Sequence, residues 1–171
     1  MLRRVLPVAF LAAILSACSP VVQETEPNDD MAHASRLPAN GRAQGTLSRP
    51  DDVDWCKVSI ERDSGVLSLH VGGIRDVDFV LSFRDKTGAE LKRIDETGVG
   101  VDEVATDLGV SRGDYYVVLS NKNPAANNPT QKYVLSAKLE SAAGRELEPN
   151  DSPLTANTLE LNGVTRGHYY P

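Results

Sequence analysis

Histidine, cysteine and the short motifs of common enzyme classes are scarce in this chain of 171 residues. The three histidines, His33, His70 and His168, stand in no recognisable catalytic motif. There is no Gly-x-Ser-x-Gly, no His-Glu-x-x-His and no phosphate-binding loop. A hydrolase needs a nucleophile, a base and an orienting group, and a zinc site needs clustered cysteine or histidine. The sequence therefore predicts no enzymatic activity and no zinc site.

Basic residues are also in the minority, with 18 Lys and Arg against 24 Asp and Glu and a net charge of −6. Without Arg3 and Arg4, which belong to a predicted leader, 16 basic residues remain and the net charge is about −8. Such a surface repels a phosphate backbone, so no nucleic-acid partner is expected. The same surface suits divalent cations.

Long apolar runs are absent except for one of eleven residues, 5–15, which follows Arg3 and Arg4. Eleven residues are too few to cross a bilayer as a helix, and the pattern is typical of a secretory signal peptide over residues 1–17. The run ends in Leu15-Ser16-Ala17-Cys18, which resembles the lipobox of bacterial lipoproteins.

The lipobox resemblance implies that the chain is cut before Cys18 and that the thiol of Cys18 carries the lipid anchor, with residues 18–23 as a tether. Ser19 after the cysteine favours sorting to the outer membrane. The alternative is an ordinary signal peptide with an incidental Cys18. If Cys18 is lipidated, Cys56 has no partner, so a disulfide framework is excluded and Cys56 is predicted to be a buried thiol in a strand.

Most of the remaining chain alternates between apolar and polar residues with a period of two, which predicts strands packed on one side. The alternation covers residues 54–61, 65–71, 77–83, 113–120 and 133–139, and more weakly 89–95 and 102–108. About eight short strands separated by turns predict an all-β fold, an antiparallel jelly-roll-like sandwich. We predict a core formed by Val58, Ile60, Leu67, Leu69, Phe79, Leu81, Phe83, Val117, Leu119 and Leu135. Residues 30–37 are predicted to form a brief helical turn capped by Asn28 or Asp29.

An internal repeat organises the chain. The segment Glu24-Thr25-Glu26-Pro27-Asn28-Asp29 returns as Glu146-Leu147-Glu148-Pro149-Asn150-Asp151, with an offset of 122 residues. We therefore predict one complete module at 24–140, a linker at 141–145 and the start of a second, incomplete module at 146–171. The early end of the second module leads us to expect either a fragment of a longer protein or a vestigial copy.

Three motifs together resemble the bacterial pre-peptidase C-terminal (PPC) domain. They are Glu26-Pro27-Asn28-Asp29, Asp51-Asp52-Val53-Asp54-Trp55 and Gly113-Asp114-Tyr115-Tyr116. The resemblance covers residues 24–140 and implies an eight-stranded sandwich. In the best-understood members, the collagen-binding domains of clostridial collagenases, it also implies calcium bound between the N-terminal linker and a strand.

Carried over by motif, the resemblance implies a set of calcium ligands in the first module: Glu24, Glu26, Asn28, Asp29, Asp51 and Asp54, with the carbonyl of Thr46 as an addition. The second module carries only half of such a set: Glu146, Glu148, Asn150 and Asp151. Collagen binding is not expected, because positions at which collagen-binding members display tyrosines hold Ser120 and Lys122.

The chemistry of these side chains agrees with a calcium site. Calcium takes six to eight hard oxygen ligands with tolerant geometry. Glu24 and Glu26 lie two residues apart, so both point the same way from an extended segment. Five carboxylates brought together repel one another unless a cation lies between them, and one or two ions would serve. The alternative is that Asn28 and Asp29 only cap a turn, and that Asp51 and Asp54 only form a solvated turn.

The sequence leaves three functions open. The first is a non-catalytic, calcium-stabilised binding or spacer module of a lipid-anchored cell-envelope protein, whose partner is an envelope protein or a glycan. The second is an accessory domain of a larger exported protease or other hydrolase. The third is an adhesion or assembly protein built from tandem modules.

Overall fold

The computed structural model describes residues 21–167, so the predicted leader, Cys18 and His168 lie outside the described residues. Within this range the chain forms one 3-10 turn, Met31–His33, and ten strands. The strands are β1 Val21–Gln23, β2 Ser35–Arg36, β3 Gly41–Gly45, β4 Val53–Ile60, β5 Gly65–Val71, β6 Phe79–Arg84, β7 Glu90–Ile94, β8 Glu103–Val110, β9 Gly113–Asn121 and β10 Tyr133–Glu140. The described range contains no apolar helix of the length that a bilayer crossing requires.

The strands form two five-stranded sheets, ordered β1-β3-β10-β5-β8 and β2-β4-β9-β6-β7. The predicted all-β sandwich is confirmed. The sheets are mixed rather than purely antiparallel, because β1 pairs with β3 and β2 pairs with β4 in parallel. These pairings arise because the chain passes from β1 in the first sheet to β2 in the second and back to β3. Strands of two or three residues are too short to show a period of two, which accounts for their absence from the prediction.

The core lies between the two sheets and is built from alternate residues of each strand. All ten predicted core residues are at most 3% exposed. Cys56 is a buried, reduced thiol in β4, as predicted, and burial raises its pKa to about 12. The inward row of β4 consists of Asp54, Cys56, Val58 and Ile60, so one carboxylate stands in a row that is otherwise apolar.

The helical turn predicted over residues 30–37 is confined to Met31–His33, and Ser35–Arg36 form β2 instead. Its N-cap is Asp30, whose Oδ1 accepts hydrogen bonds from the backbone N–H groups of Ala32 (2.9 Å) and His33 (3.1 Å). The prediction that Asn28 or Asp29 caps this turn is therefore wrong. Asn28 is fully buried, because its side chain points into the sandwich instead of toward the turn.

Candidate functional site

Residues 24–29, which we call the first entry segment, connect the two sheets where the chain enters the sandwich. The N–H of Glu24 donates to the carbonyl of Gln44 in β3 (3.0 Å). Farther along, the carbonyl of Asn28 accepts from the N–H of Trp55 in β4 (2.9 Å). The segment is therefore attached by its backbone to one strand of each sheet, which fixes the directions of its side chains.

Three carboxylates meet beside this segment. Glu24, Glu26 and Asp54 each offer one oxygen, and these oxygens all lie within 4.8 Å of one another. Glu24 is half-buried, Glu26 is exposed and Asp54 is fully buried. Among residues 21–167 this is the one group of three or more acidic, histidine or cysteine side chains close enough to share an ion. We call Glu24, Glu26, Asn28 and Asp54 the acidic cluster.

Glu24 is held rigidly within the acidic cluster. Its Oε1 accepts the backbone N–H of Thr46 (2.6 Å), and its Oε2 accepts the hydroxyl of Tyr133 (3.0 Å). The carboxylate lies against Gly45, where an added Cβ would stand only 1.8 Å from Glu24 Oε2. Glycine at position 45 therefore makes room for the carboxylate, and the two hydrogen bonds set its orientation.

Asn28 completes the acidic cluster with an amide. The end of its side chain lies 3.1 Å from Asp54 Oδ1 and 3.0 Å from Glu26 Oε2. With the amide nitrogen toward them, Asn28 donates a hydrogen bond to both carboxylates. With the amide oxygen toward them, it adds a further oxygen of the kind that a hard cation binds. The side chain fills the same space in both orientations, so Asn28 suits both a metal-free and a metal-bound site.

The electrostatics of the cluster oppose its negative charge. Burial, followed by the nearby carboxylates of Glu24, Asp52 and Glu26, raises the pKa of Asp54 to about 8 against the lowering effect of the Tyr133 hydroxyl. The pKa of Glu26 is also raised, first by its partial burial and then by neighbouring carboxylates. Asp54 Oδ2 is buried and has no hydrogen-bond partner. A cation placed here would satisfy this oxygen and offset the repulsion.

Two predicted ligands lie outside the acidic cluster. Asp29 forms an ion pair with Arg49, a residue whose Nη2 is also 3.4 Å from Asp52 Oδ1. Asp51 is exposed, with a φ of 58°, and its N–H donates to the carbonyl of Pro124 (2.7 Å). Thr46 contacts the cluster through its N–H on Glu24, which differs from the predicted role of its carbonyl.

Asp52 is the residue that sequence reasoning missed. It is 5% exposed, its Oδ2 accepts the backbone N–H and the hydroxyl of Ser48, and its charge raises the pKa values of Asp54 and Glu26. A signal was present in the sequence. Asp52 and Asp54 are two apart at the start of a strand, so both lie on the face that carries Cys56 inward.

The second entry segment, residues 146–151, repeats the local geometry of the first. The N–H of Glu146 donates to the carbonyl of Arg166 (2.7 Å), as Glu24 does to Gln44, 122 residues earlier. The N–H of Asn150 donates to Glu148 Oε2 (3.2 Å), as Asn28 does to Glu26 (3.1 Å).

The side chains of the second segment repeat the first only in part: the first glutamate again lies against a glycine, but Asn150 donates to that glutamate, whereas Asn28 faces Glu26 and Asp54. The carboxylate of Glu146 lies against Gly167, where an added Cβ would stand 1.7 Å from Oε2, and it accepts the amide of Asn150 (2.7 Å). Asp151 is exposed. Residues 21–167 thus hold two copies of the entry half of the site, and one copy, at Asp54, of the strand half.

Comparison with known proteins yields similarity of chain path only. No protein-family model and no curated protein matches the chain. Among solved structures, the pre-peptidase C-terminal domain of a Bacillus anthracis collagenase is 16% identical with a TM-score of 0.49, over 61% of this chain and 94% of that domain. PliG of Aeromonas hydrophila, a periplasmic inhibitor of g-type lysozyme, is 9% identical with a TM-score of 0.42, over 71% and 100% of the two chains.

A β-glucosidase of Paenibacillus barengoltzii is 16% identical with a TM-score of 0.31, and the match covers 78% of this chain but 14% of the enzyme. The three proteins named do not share one activity.

Proposed function

We propose that this chain is a non-catalytic module in which a calcium ion joins the entry segment to the sandwich, within a lipid-anchored protein of the bacterial cell envelope. The observation that carries the proposal is the buried, unpartnered Asp54 Oδ2 in a group formed with Glu24, Glu26 and the amide of Asn28. The other inward side chains of β4 are apolar, so a carboxylate at Asp54 is unusual in this row.

The donor set favours calcium over other common ions. Carboxylate and amide oxygens are hard ligands, whereas zinc sites use mainly histidine and cysteine. Among residues 21–167 the one thiol is that of Cys56, which is buried in the core, and its raised pKa keeps it protonated. Magnesium demands near-ideal octahedral geometry, while calcium accepts irregular sets completed by water or carbonyl groups. Two glutamates from a segment and one aspartate from a strand form such an irregular set.

The proposed role of the ion is mechanical. Glu24 and Glu26 belong to the segment that follows the predicted tether, and Asp54 belongs to β4, an interior strand of the second sheet that pairs with β2 and β9. Residues 21–23 of the predicted tether form β1 and already join the first sheet through β3, so an ion between Glu24, Glu26 and Asp54 would add a link from this point to β4 of the second sheet. The same link would keep the backbone hydrogen bonds of the first entry segment in place.

Calcium-dependent stability tests the site. In the soluble chain 19–171, which contains every described element, calcium at about 100 times its Kd should add about 2.7 kcal/mol to the free energy of unfolding relative to EDTA. Asp54→Asn should abolish this gain and also raise the thermal midpoint in EDTA, because an amide avoids the cost of protonating or burying a carboxylate at this position. The matched control is Asp51→Asn, which makes the same change outside the cluster and tolerates positive φ.

Identical midpoints in calcium and EDTA for the unsubstituted chain would contradict the proposal. If the calcium response persists in Asp54→Asn but disappears in Asp51→Asn, the ion binds at exposed Asp51 and not at the acidic cluster. Magnesium at the same concentration should have a much smaller effect than calcium.

The lipid anchor and the envelope location rest on residues 1–18, with acylation proposed at Cys18 and the outer membrane as destination. Cys18→Ser should move the protein from the membrane fraction to the soluble fraction and abolish incorporation of labelled palmitate. Label retained in the Cys18→Ser protein would exclude this anchor. The partner that we propose is an envelope protein or glycan, since the acidic surface disfavours nucleic acid.

A further inference from the structure

The second entry segment lies along the outer edge of the sandwich. Strand β8 is the last strand of the first sheet, and Leu108 forms a parallel bridge with Glu148. The N–H of Glu148 donates to the carbonyl of Asp107 (2.6 Å), and the N–H of Gly109 donates to the carbonyl of Glu148 (2.7 Å). Both backbone groups of Glu148 are therefore used to extend the sheet.

The edge of β8 is shaped to receive this segment. A Cβ added at Gly109 would lie 3.0 Å from Leu147 Cβ and 3.4 Å from the carbonyl oxygen of Glu148. All three heavy atoms nearest to that position belong to the second entry segment. Glycine at 109 therefore allows the approach of a neighbouring backbone and leaves the core of the sandwich unaffected.

Charges on the first module match those of the docked segment. Glu148 is 7% exposed, and its Oε2 lies 3.7 Å from Lys92 Nζ in β7, the edge strand of the other sheet. Arg145, just before the segment, places Nε 3.4 Å from Asp107 Oδ1 and Nη2 3.5 Å from Glu140 Oε2. Opposite charges thus face each other on both sides of the bridge at Leu108.

The predicted linker, residues 141–145, contains a turn. The N–H of Arg145 donates to the carbonyl of Ala142 (3.1 Å), and the N–H of Arg166 donates to the carbonyl of Gly144 (3.0 Å). These bonds direct the chain from the end of β10 straight onto the edge of β8.

We propose that the edge formed by β7 and β8 is a docking site for the entry segment of the copy that follows, so that successive modules are held in one orientation. Each sandwich then receives its own entry segment at the side of β1 and β2 and the next segment at the opposite side. Beside the second entry segment, Lys92 supplies the positive charge. In the first copy, we assign that role to a metal ion. This inference does not depend on calcium binding.

Backbone hydrogen exchange in chain 19–171 tests the docking. The amides of Glu148 and of position 109 donate to carbonyls across the junction, so both should be protected by about tenfold or more over unstructured rates. Gly109→Ala should lower the protection of Glu148 several-fold while leaving the amides of β9 unchanged, because its Cβ would press on Leu147. Gly72→Ala is the matched control, because a Cβ there meets nothing within 4 Å, and it should keep the protection.

The ion pair between Lys92 and Glu148 is tested separately. Lys92→Gln should lower the protection of Glu148 several-fold, and Lys92→Arg should retain it, because a positive group is again available to the carboxylate. Exchange of Glu148 at the unstructured rate in the unsubstituted chain would overturn the proposal, as would full protection in Gly109→Ala. Since these amides are measured in EDTA, the outcome is separate from that of the calcium experiment.

Discussion

The two entry segments share the pattern Glu-x-Glu-Pro-Asn-Asp and the same local geometry, yet their second glutamates lie in opposite electrostatic surroundings. Glu26 is exposed and meets the carboxylates of Glu24 and Asp54. Glu148 is buried and meets the ammonium group of Lys92. The carboxylates around the first segment would be stabilised by a bound cation, whereas the second segment already has the basic side chain of Lys92 beside it.

Local sequence therefore sets the shape of an entry segment, while the surface it contacts decides its chemistry. In both copies the glutamate–proline bond is cis, and the first glutamate lies against a glycine 21 residues later. What differs is the element opposite, which is β4 with Asp54 in the first copy and the edge of β7 and β8 in the second.

The largest effect should come from removing the first glutamate of each copy in turn. Glu24→Gln takes a ligand from the cluster, so most of the gain of about 2.7 kcal/mol from calcium should disappear. Glu146→Gln makes the same change 122 residues later, outside the cluster, and should alter the calcium gain by less than about 0.5 kcal/mol. Urea unfolding in calcium and in EDTA, followed by Trp55 fluorescence, measures both.

If both variants lost the calcium gain equally, the two segments would share one ion or bind one each. The proposal that only the first segment binds calcium would then be wrong. Retention of the whole gain in Glu24→Gln would place the ion elsewhere. The unfolding free energies in EDTA serve as the control, since both substitutions also change one hydrogen-bond acceptor.

The sequence was most informative where periodicity was long. Strands with a clear period of two, such as β5 and β9, lie close to their predicted positions. Strand β3, Gly41–Gly45, was not predicted, because its glycines and polar residues show no apolar alternation. The same periodicity, applied to Asp52 and Asp54, would have placed both carboxylates inward. The motif resemblance instead named Asp51, which the structure leaves exposed at positive φ.

Contacts between distant segments could not be predicted in this way. The ion pair that takes Asp29 away from the cluster depends on Arg49, and the burial of Glu148 depends on Lys92. Neither pairing leaves a pattern in a single sequence, because each depends on how two surface elements meet. Residues 141–145 have the composition of a linker, and their sequence does not show that Arg145 pairs with Asp107 of β8 or that Glu148 bridges to Leu108.

A smaller effect, confined to the first copy, should follow pH in the absence of calcium. The native pKa of Asp54 is about 8, above an unfolded value of about 3.9. Between these values the native state holds a proton that the unfolded state has lost, so the free energy of unfolding falls as pH rises. The stability from this group is complete below the unfolded pKa and is lost as pH passes through the native one.

In EDTA, urea unfolding between pH 6 and pH 8.5 should therefore show a loss of about 2.5 kcal/mol in the unsubstituted chain. Asp54→Asn should flatten this dependence, because position 54 then has no proton to lose. Glu146→Gln, which removes a carboxylate from the second segment, should keep the slope of the unsubstituted chain. If the free energy of unfolding depends on pH equally in the unsubstituted chain and in Asp54→Asn, then Asp54 is charged in the native state over this range. The two copies would then not differ in their response to pH.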